Sequence, residues 1–261
     1  MPLHADAIPP AVREWLPDEF SLTEPRQGQS AQLTFVDDAQ LVIKRACGPV
    51  YATWLAQEHR ALVALADADL PIPRAIGLHT QPGTDGSDCE AWLVMTRLPG
   101  TPLGEVVARA ENTEARADWY RRLGVIAARI HTLSVPSELV PDDPRPWLER
   151  VLERARNAPG NWVQKLAARF DRERQPDMPD TLIHGDFTID NVLADGDAVT
   201  GVVDWGGAGP GDPRYDVTLA LSRRDEQPLE PKVAAAFLEG YRSHALSREL
   251  RAFFEHSYTV P

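Results

Sequence analysis

The stretch His184-Gly185-Asp186-Phe187-Thr188-Ile189-Asp190-Asn191 places an aspartate and an asparagine five residues apart, and Asp204 follows the apolar run Val199–Val203. Asp186 and Asp204 each come after a short apolar segment, which presents a carboxylate at the end of a buried strand. This set suits phosphoryl transfer. An acceptor hydroxyl must be oriented and give up its proton, a task for Asp186. Phosphates must be held around a hard divalent cation, for which the oxygens of Asn191 and Asp204 are natural ligands. Taken singly, each aspartate reads as well as a turn or helix cap. The ordered H-x-D-x4-N-x12-D string is what points to chemistry.

Two residues upstream extend the set. Lys44 ends the apolar strand-like run Leu41-Val42-Ile43, in a chain whose other lysines are Lys165 and Lys232. A lysine there either snorkels at an edge or points into a site. Glu58 lies within the apolar stripe Leu55, Leu62 and Leu65 of a helical segment. A buried carboxylate needs a cationic partner or a proton. Lys44 is the natural partner, and a strand lysine held by a helix glutamate can set an ammonium on a phosphate. Glu58 pairing locally with Arg60 is the other reading.

The elements that would carry these residues follow from pattern. Gln32–Val36 and Gln40–Arg45 alternate as strands across the turn pair Asp37-Asp38, with Leu41, Ile43 and Arg45 on one face and Val42 and Lys44 on the other. A helix is predicted over about Ala52–Ala66, broken by Leu70–Pro73, with strands over Arg74–His79 and Ala91–Met95. Beyond Pro99-Gly100 the pattern is helical: Trp119, Leu123, Ile126, Ile130 and Leu133 form one stripe, and Trp147, Leu148, Val151, Leu152 and Ala155 another. Further helices are predicted over Asn161–Arg174, Val217–Arg223, Val233–Tyr241 and Ser247–Phe254. A small hairpin is expected around Asp195-Gly196. The expected fold class is α+β: an N-terminal antiparallel sheet with one helix over residues 1–98, and a mostly helical lobe over 99–261.

The segments LVIK, QEHRALVAL, WLVMTRLPG, HGDFTIDNVL and VVDWGGAGPGDPRYDVTLA together resemble the aminoglycoside phosphotransferase family, small-molecule kinases with a protein-kinase-like, two-lobed fold. The resemblance spans roughly residues 25–245. It implies that Asp186 is the catalytic aspartate, that Asn191 and Asp204 bind Mg²⁺, and that Lys44, steadied by Glu58, touches the nucleotide phosphates. It implies that backbone groups of Thr96 and Leu98 hold adenine with Met95 behind it, and that Gly28-Gln29-Ser30 forms the phosphate-facing loop. That loop has one glycine and is the weakest match. Asp216 is implied to tie down the catalytic loop, and His184 and His131 read as structural. ATP, or GTP, is the implied phosphate donor. Protein kinases differ in carrying Arg where Gly185 stands, and eleven residues between Asp204 and Asp216 are too few for a long peptide-docking segment.

Composition sets limits on partners. With 39 acidic and 27 basic residues, the net charge of −12 argues against nucleic acid or an anionic membrane. It suits a cationic small-molecule acceptor without naming one, and it is spread over both halves. Two cysteines exclude a disulfide framework, and the first residues carry no secretory pattern, so a cytoplasmic chain is expected. The expected activity is transfer of the γ-phosphate to a hydroxyl of an aminoglycoside-type antibiotic. Macrolides, amino alcohols, homoserine and glycated amines are alternative acceptors, and an inactive nucleotide-binding pseudokinase is the alternative of another class. The sequence leaves the oligomeric state open. Asp190, Asp212, Asp225, Glu226 and Glu230 are expected on the acceptor side or on a solvated surface.

Overall fold

A computed structural model describes residues 3–25, 31–83, 88–157, 179–222 and 229–242. The chain forms two compact units. One comprises Met1–Gly100 with Thr200–Gly207; the other comprises Thr101–Val199 and Ala208–Pro261.

The first unit is built on an antiparallel sheet of five strands. They are β1 (Leu22–Thr23), β2 (Gln32–Val36), β3 (Leu41–Cys47), β4 (Ala75–Gln81) and β5 (Glu90–Thr96), in the spatial order β1-β2-β3-β5-β4. The β2–β3 register places Leu33 opposite Lys44, and the β3–β5 register places Lys44 opposite Leu93. The connection from β2 to β3 is a 3-10 turn over Asp37–Ala39 closed by Gln40 with φ of 50°. Both faces of the sheet are covered. On one, α2 (Pro49–Ala64) starts after Gly48, whose φ of 88° suits glycine, with Pro49 in its first turn. The helix buries Leu55, Glu58, Ala61 and Leu62.

The other face is covered by the N-terminal segment, including α1 (Pro10–Arg13). Leu3, Ile8, Val12 and Leu16 pack with Val36, Ile43, Trp92 and Val94. The sequence pattern gives no sign of this layer. Pro9 and Pro10 interrupt any helical period, so the four apolar positions form no stripe. The layer explains why Val42, Ile43 and Lys44 are all buried, although they alternate between faces. It also explains Gly77, where a Cβ would run into the Trp15 ring.

The second unit is mainly helical: α3 (Leu103–Ala108), α4 (Thr113–Thr132), α5 (Trp147–Asn157), α6 (Pro213–Leu221) and α7 (Pro231–Tyr241). Asn112 caps α4 by accepting from the Ala115 N–H, and Asp212 caps α6 by accepting from the Arg214 N–H. The buried stripe of α4 is Ala117, Tyr120, Leu123, Gly124, Ile126, Ala127 and Ile130. Trp119, expected in that stripe, sits half-buried at its edge with the Arg122 guanidinium 5.2 Å from the ring. Leu133 falls just past the helix end. Short strands β6 (Thr101–Pro102), β7 (Thr181–Ile183), β8 (Val192–Asp195) and β10 (Gly209–Gly211) belong to this unit as well, while β9 (Ala198–Val202) runs from it into the first. β7 pairs with β10, β6 pairs with β8, and β8 turns into β9 through Gly196. The expected helices at 161–174 and 247–254 lie outside the described residues. No helix among the described residues is long and apolar enough to cross a membrane.

Candidate active site

In the first unit, register and helix phase bring Lys44 and Glu58 together. Lys44 Nζ donates to Glu58 Oε1 at 2.6 Å and to Oε2 at 2.8 Å. The same ammonium pairs with Asp204 Oδ1. Lys44 and Glu58 are 8% and 5% exposed, so this is a buried cluster and not a surface ion pair. Arg60, the other partner considered for Glu58, is exposed on the far side of α2.

Burial by itself would lower the Lys44 pKa. The charges of Asp204 and Glu58 outweigh it and raise the ammonium above its ordinary value. Burial pushes the Glu58 carboxyl up, while the Lys44 charge and the Trp205 N–H pull it back. That N–H bond ties α2 to the residue after Asp204. The segment 200–207 is anchored further: Val202 N–H bonds Pro71 O at 2.8 Å, Thr200 Oγ1 bonds Pro99 O at 2.6 Å, and the buried Trp205 Nε1 bonds Val202 O at 2.9 Å. Asp204 itself has φ of 66°, a left-handed backbone that costs a non-glycine residue energy and is found where a side chain must be aimed.

In the second unit, β7 ends at Ile183 and the chain enters the His184–Asn191 loop. Gly185 takes φ of 81°, which reverses the chain so that Asp186 follows. Asn191 Nδ2 holds Asp186 at two points, its carbonyl at 2.8 Å and its Oδ2 at 2.7 Å. The Asp186 N–H bonds His184 Nδ1 at 3.2 Å. His184 and Phe187 are fully buried and pack edge to face. Beneath the loop lies Asp216 on α6, fully buried. Its Oδ2 accepts from the His184 N–H at 2.7 Å and its Oδ1 from the Gly185 N–H at 2.9 Å. Asp190, beside Asn191, lies against Gly104 of α3, where a Cβ would collide with the carboxylate.

A sequence model of the phosphotransferase enzyme family matches residues 21–253. The chain belongs to this family. The aminoglycoside 3′-phosphotransferase of Streptomyces fradiae is 33% identical over 210 residues, which cover 71% of this chain and 72% of that one. Viomycin phosphotransferase of Streptomyces vinaceus is 31% identical over 200 residues, covering 64% and 62%. Among solved structures, an aminoglycoside-3′-phosphotransferase of type VIII superposes with a TM-score of 0.69 at 25% identity, covering 95% of this chain and 96% of that one. The α+β architecture is therefore the kinase-like fold of these enzymes, and the chain is a nucleotide-using small-molecule phosphotransferase.

Asn191 in the second unit and Asp204 in the first each carry an oxygen of the kind a hard divalent cation accepts. Asn191 spends its Nδ2 on Asp186, and its Oδ1 takes no hydrogen bond from any described residue. The Asp204 side chain remains 45% exposed despite its bond to Lys44. Amide and carboxylate oxygens are both ligands that Mg²⁺ accepts.

The remaining site residues expected from sequence fall as follows. Met95 is buried between Val42 and Ala75 in the sheet. The Thr96 N–H bonds Arg74 O at 2.9 Å, so that donor is already spent. Leu98 follows Arg97, which is fixed by its N–H on Gln40 O, by an ion pair with Asp37 at 2.9 Å and by stacking on Phe35. Gly28 and Ser30 lie outside the described residues, as do Asp225 and Glu226. Asp212 is committed to Arg214 at 2.5 Å, and Glu230 bonds Thr113 and Arg116, so both carboxylates hold helices.

Sequence reasoning passed over Tyr241, whose hydroxyl lies 2.7 Å from His131 Nδ1. The only sequence signal is that Tyr241 closes the Val233, Phe237, Tyr241 stripe with a polar tip.

Proposed function

We propose that this phosphotransferase moves the γ-phosphate of ATP, or of GTP, to a hydroxyl of an aminoglycoside-type antibiotic and so inactivates it. The observation that carries this reading is the complete residue set on a chain 33% identical to an aminoglycoside 3′-phosphotransferase. Lys44, Glu58, Asp186, Asn191 and Asp204 are all present, which an inactive nucleotide-binding relative would not require. The acidic balance of the chain also favours a polycationic acceptor.

In this reading Lys44, locked by Glu58, donates to the nucleotide phosphates. Thr96 and Leu98 offer backbone groups to the base, against Met95. Asn191 and Asp204 would hold Mg²⁺, which when bound would neutralise charge on the phosphates. Asp186, oriented by Asn191, accepts the proton of the acceptor hydroxyl. The hydroxyl oxygen forms a bond to the γ-phosphorus as the bond to the leaving diphosphate breaks, without a phospho-enzyme. The rate comes from positioning and charge neutralisation.

A coupled ADP- or GDP-release screen tests the reading. Mg-ATP and Mg-GTP would be offered with aminoglycosides, macrolides, amino alcohols and glycated amines. Turnover confined to aminoglycosides is expected. Turnover on another class moves the acceptor assignment, and nucleotide binding without any turnover overturns it.

A further inference from the structure

We infer that Tyr241 is a positioning residue for phosphotransfer, acting through His131 and Asp216 on the backbone that carries Asp186. The inference rests on the role proposed above for Asp186 and adds a chain of contacts reaching it from the last turn of α7.

Asp216 receives three hydrogen bonds in full burial. Two come from the His184 and Gly185 N–H groups, and the third from His131 Nε2 at 3.1 Å to Oδ2. A carboxylate only accepts, so His131 Nε2 carries the proton, and in the neutral ring Nδ1 must accept. Its donor is the Tyr241 hydroxyl at 2.7 Å. Burial, followed by the nearby charges of Asp216 and Asp212, raises the Tyr241 pKa and keeps that hydroxyl protonated. The ring of Tyr241 meets that of His131 edge to face at 5.4 Å and stacks on Phe237 at 6.0 Å. The phenol therefore fixes the tautomer and the tilt of the imidazole, and the imidazole fixes the carboxylate on which the loop amides hang.

The anchor at the far end is stiff. Helices α4 and α7 cross at paired glycines. A Cβ on Gly240 would strike the Arg121 carbonyl, and one on Gly124 would strike the Phe237 carbonyl. Backbones this close cannot slide, so the crossing sets the position of the Tyr241 hydroxyl. Tyr241 touches neither nucleotide nor acceptor in this scheme. Its effect on Asp186 passes through four consecutive hydrogen-bonded or covalent links.

The test uses Tyr241→Phe, which removes one oxygen and keeps the ring, together with His131→Gln and the double variant. Two quantities are read in each: kcat and KM with Mg-ATP and kanamycin, and hydrogen–deuterium exchange at the His184 and Gly185 amides. Loss of a positioning partner of this kind lowers activity about tenfold. Tyr241→Phe is expected to lower kcat by about that factor with KM for ATP within about twofold, and to speed exchange at both amides. Exchange at Val94 in the first unit should be unchanged. The double variant should be no worse than His131→Gln alone, because both act along one chain.

Unchanged amide exchange, an unchanged kcat, or effects that multiply in the double variant would each overturn the inference. If the parent enzyme phosphorylates no aminoglycoside, kanamycin included, the acceptor assignment fails by itself. The exchange data then still decide for or against the Tyr241 link.

Discussion

Glu58 in the first unit and Asp216 in the second are both buried carboxylates beside residues of the candidate site, yet they are held in opposite ways. Glu58 is held by charge: both its oxygens face the Lys44 ammonium, which also pairs with Asp204. Asp216 is held mainly by neutral donors, two of them backbone N–H groups. A charge cluster tolerates some displacement, because its attraction falls slowly with distance and the lysine stem is flexible. A carboxylate bonded to consecutive amides tolerates little, because each amide points in one direction. On the proposed reading, the phosphate side of the enzyme is thus built on electrostatics and the loop that carries Asp186 on geometry. Substitutions separate the two.

The largest expected effect is at the end of the geometric chain. Asp186→Ala removes the group proposed to take the acceptor proton. It should lower turnover by about 10²–10⁴, the usual contribution of a positioned base, while nucleotide binding stays near normal. Steady-state turnover beside a nucleotide titration checks this. Near-normal turnover would remove Asp186 from the mechanism.

Asp216→Asn comes next. One carboxamide oxygen cannot serve three donors, and the new NH₂ group would face an N–H. Leaving buried donors unpaired should cost about 2–4 kcal/mol of stability and reduce turnover together with it. Denaturant unfolding of the parent and variant measures the cost. A loss below about 0.5 kcal/mol, the level of an ordinary surface change, would mean that the loop does not depend on Asp216.

The two modes also differ in how far the sequence discloses them. The charge cluster is legible because its members break a pattern. Lys44 interrupts an apolar strand, and Glu58 sits in an apolar helical stripe. Two such violations of opposite sign predict each other, and the Lys44–Glu58 pair is found. The HGDFTIDN string is legible for the same reason. Backbone-directed bonding leaves no such trace. An amide N–H belongs to every residue, so nothing in the spacing of His184, Gly185 and Asp216 announces that they bond; only the family resemblance pointed there. Tyr241 ends a helical stripe as an ordinary core aromatic would.

The N-terminal layer escaped for another reason. Leu3, Ile8, Val12 and Leu16 are apolar positions without a period, and only the sheet gives them a common direction. Strand and helix identity followed from periodicity, whereas boundaries moved by a few residues where caps decided them. The second helix starts at Pro49, ahead of the expected Ala52, because Gly48 turns the chain early.

Glu58→Gln breaks the electrostatic mode with a smaller effect. The amide keeps an acceptor for the ammonium, and Lys44 retains Asp204. A stability loss of about 1 kcal/mol is expected, smaller than for Asp216→Asn, since the Lys44 ammonium keeps one amide oxygen and Asp204 as acceptors and only the new NH₂ group faces a donor. The kinetic consequence should appear mainly in KM for the nucleotide, because Lys44 loses its orientation rather than its charge. A loss of stability equal to that of Asp216→Asn would erase the distinction between the two modes.

The smallest expected effect is a dependence on alkaline pH, and it probes both regions at once. Lys44 in the first unit is raised above the ordinary lysine value of 10.5, and Tyr241 in the second above the ordinary tyrosine value of 10.0. In each case the folded state keeps a proton that the unfolded state releases. Each contribution is therefore complete below the ordinary value and is lost as pH rises toward the raised one. The slope is at most about 1.4 kcal/mol per pH unit per group. Unfolding free energy should fall between pH 10 and 11. Tyr241→Phe should remove the earlier part of that fall and Lys44→Met the later part, because their ordinary values differ in that order. If both variants keep the parent's slope, neither proton is held as the structure requires. If only Lys44→Met flattens it, the phenol is not locked by burial, and the geometric region loses the rigid end on which its chain of contacts depends.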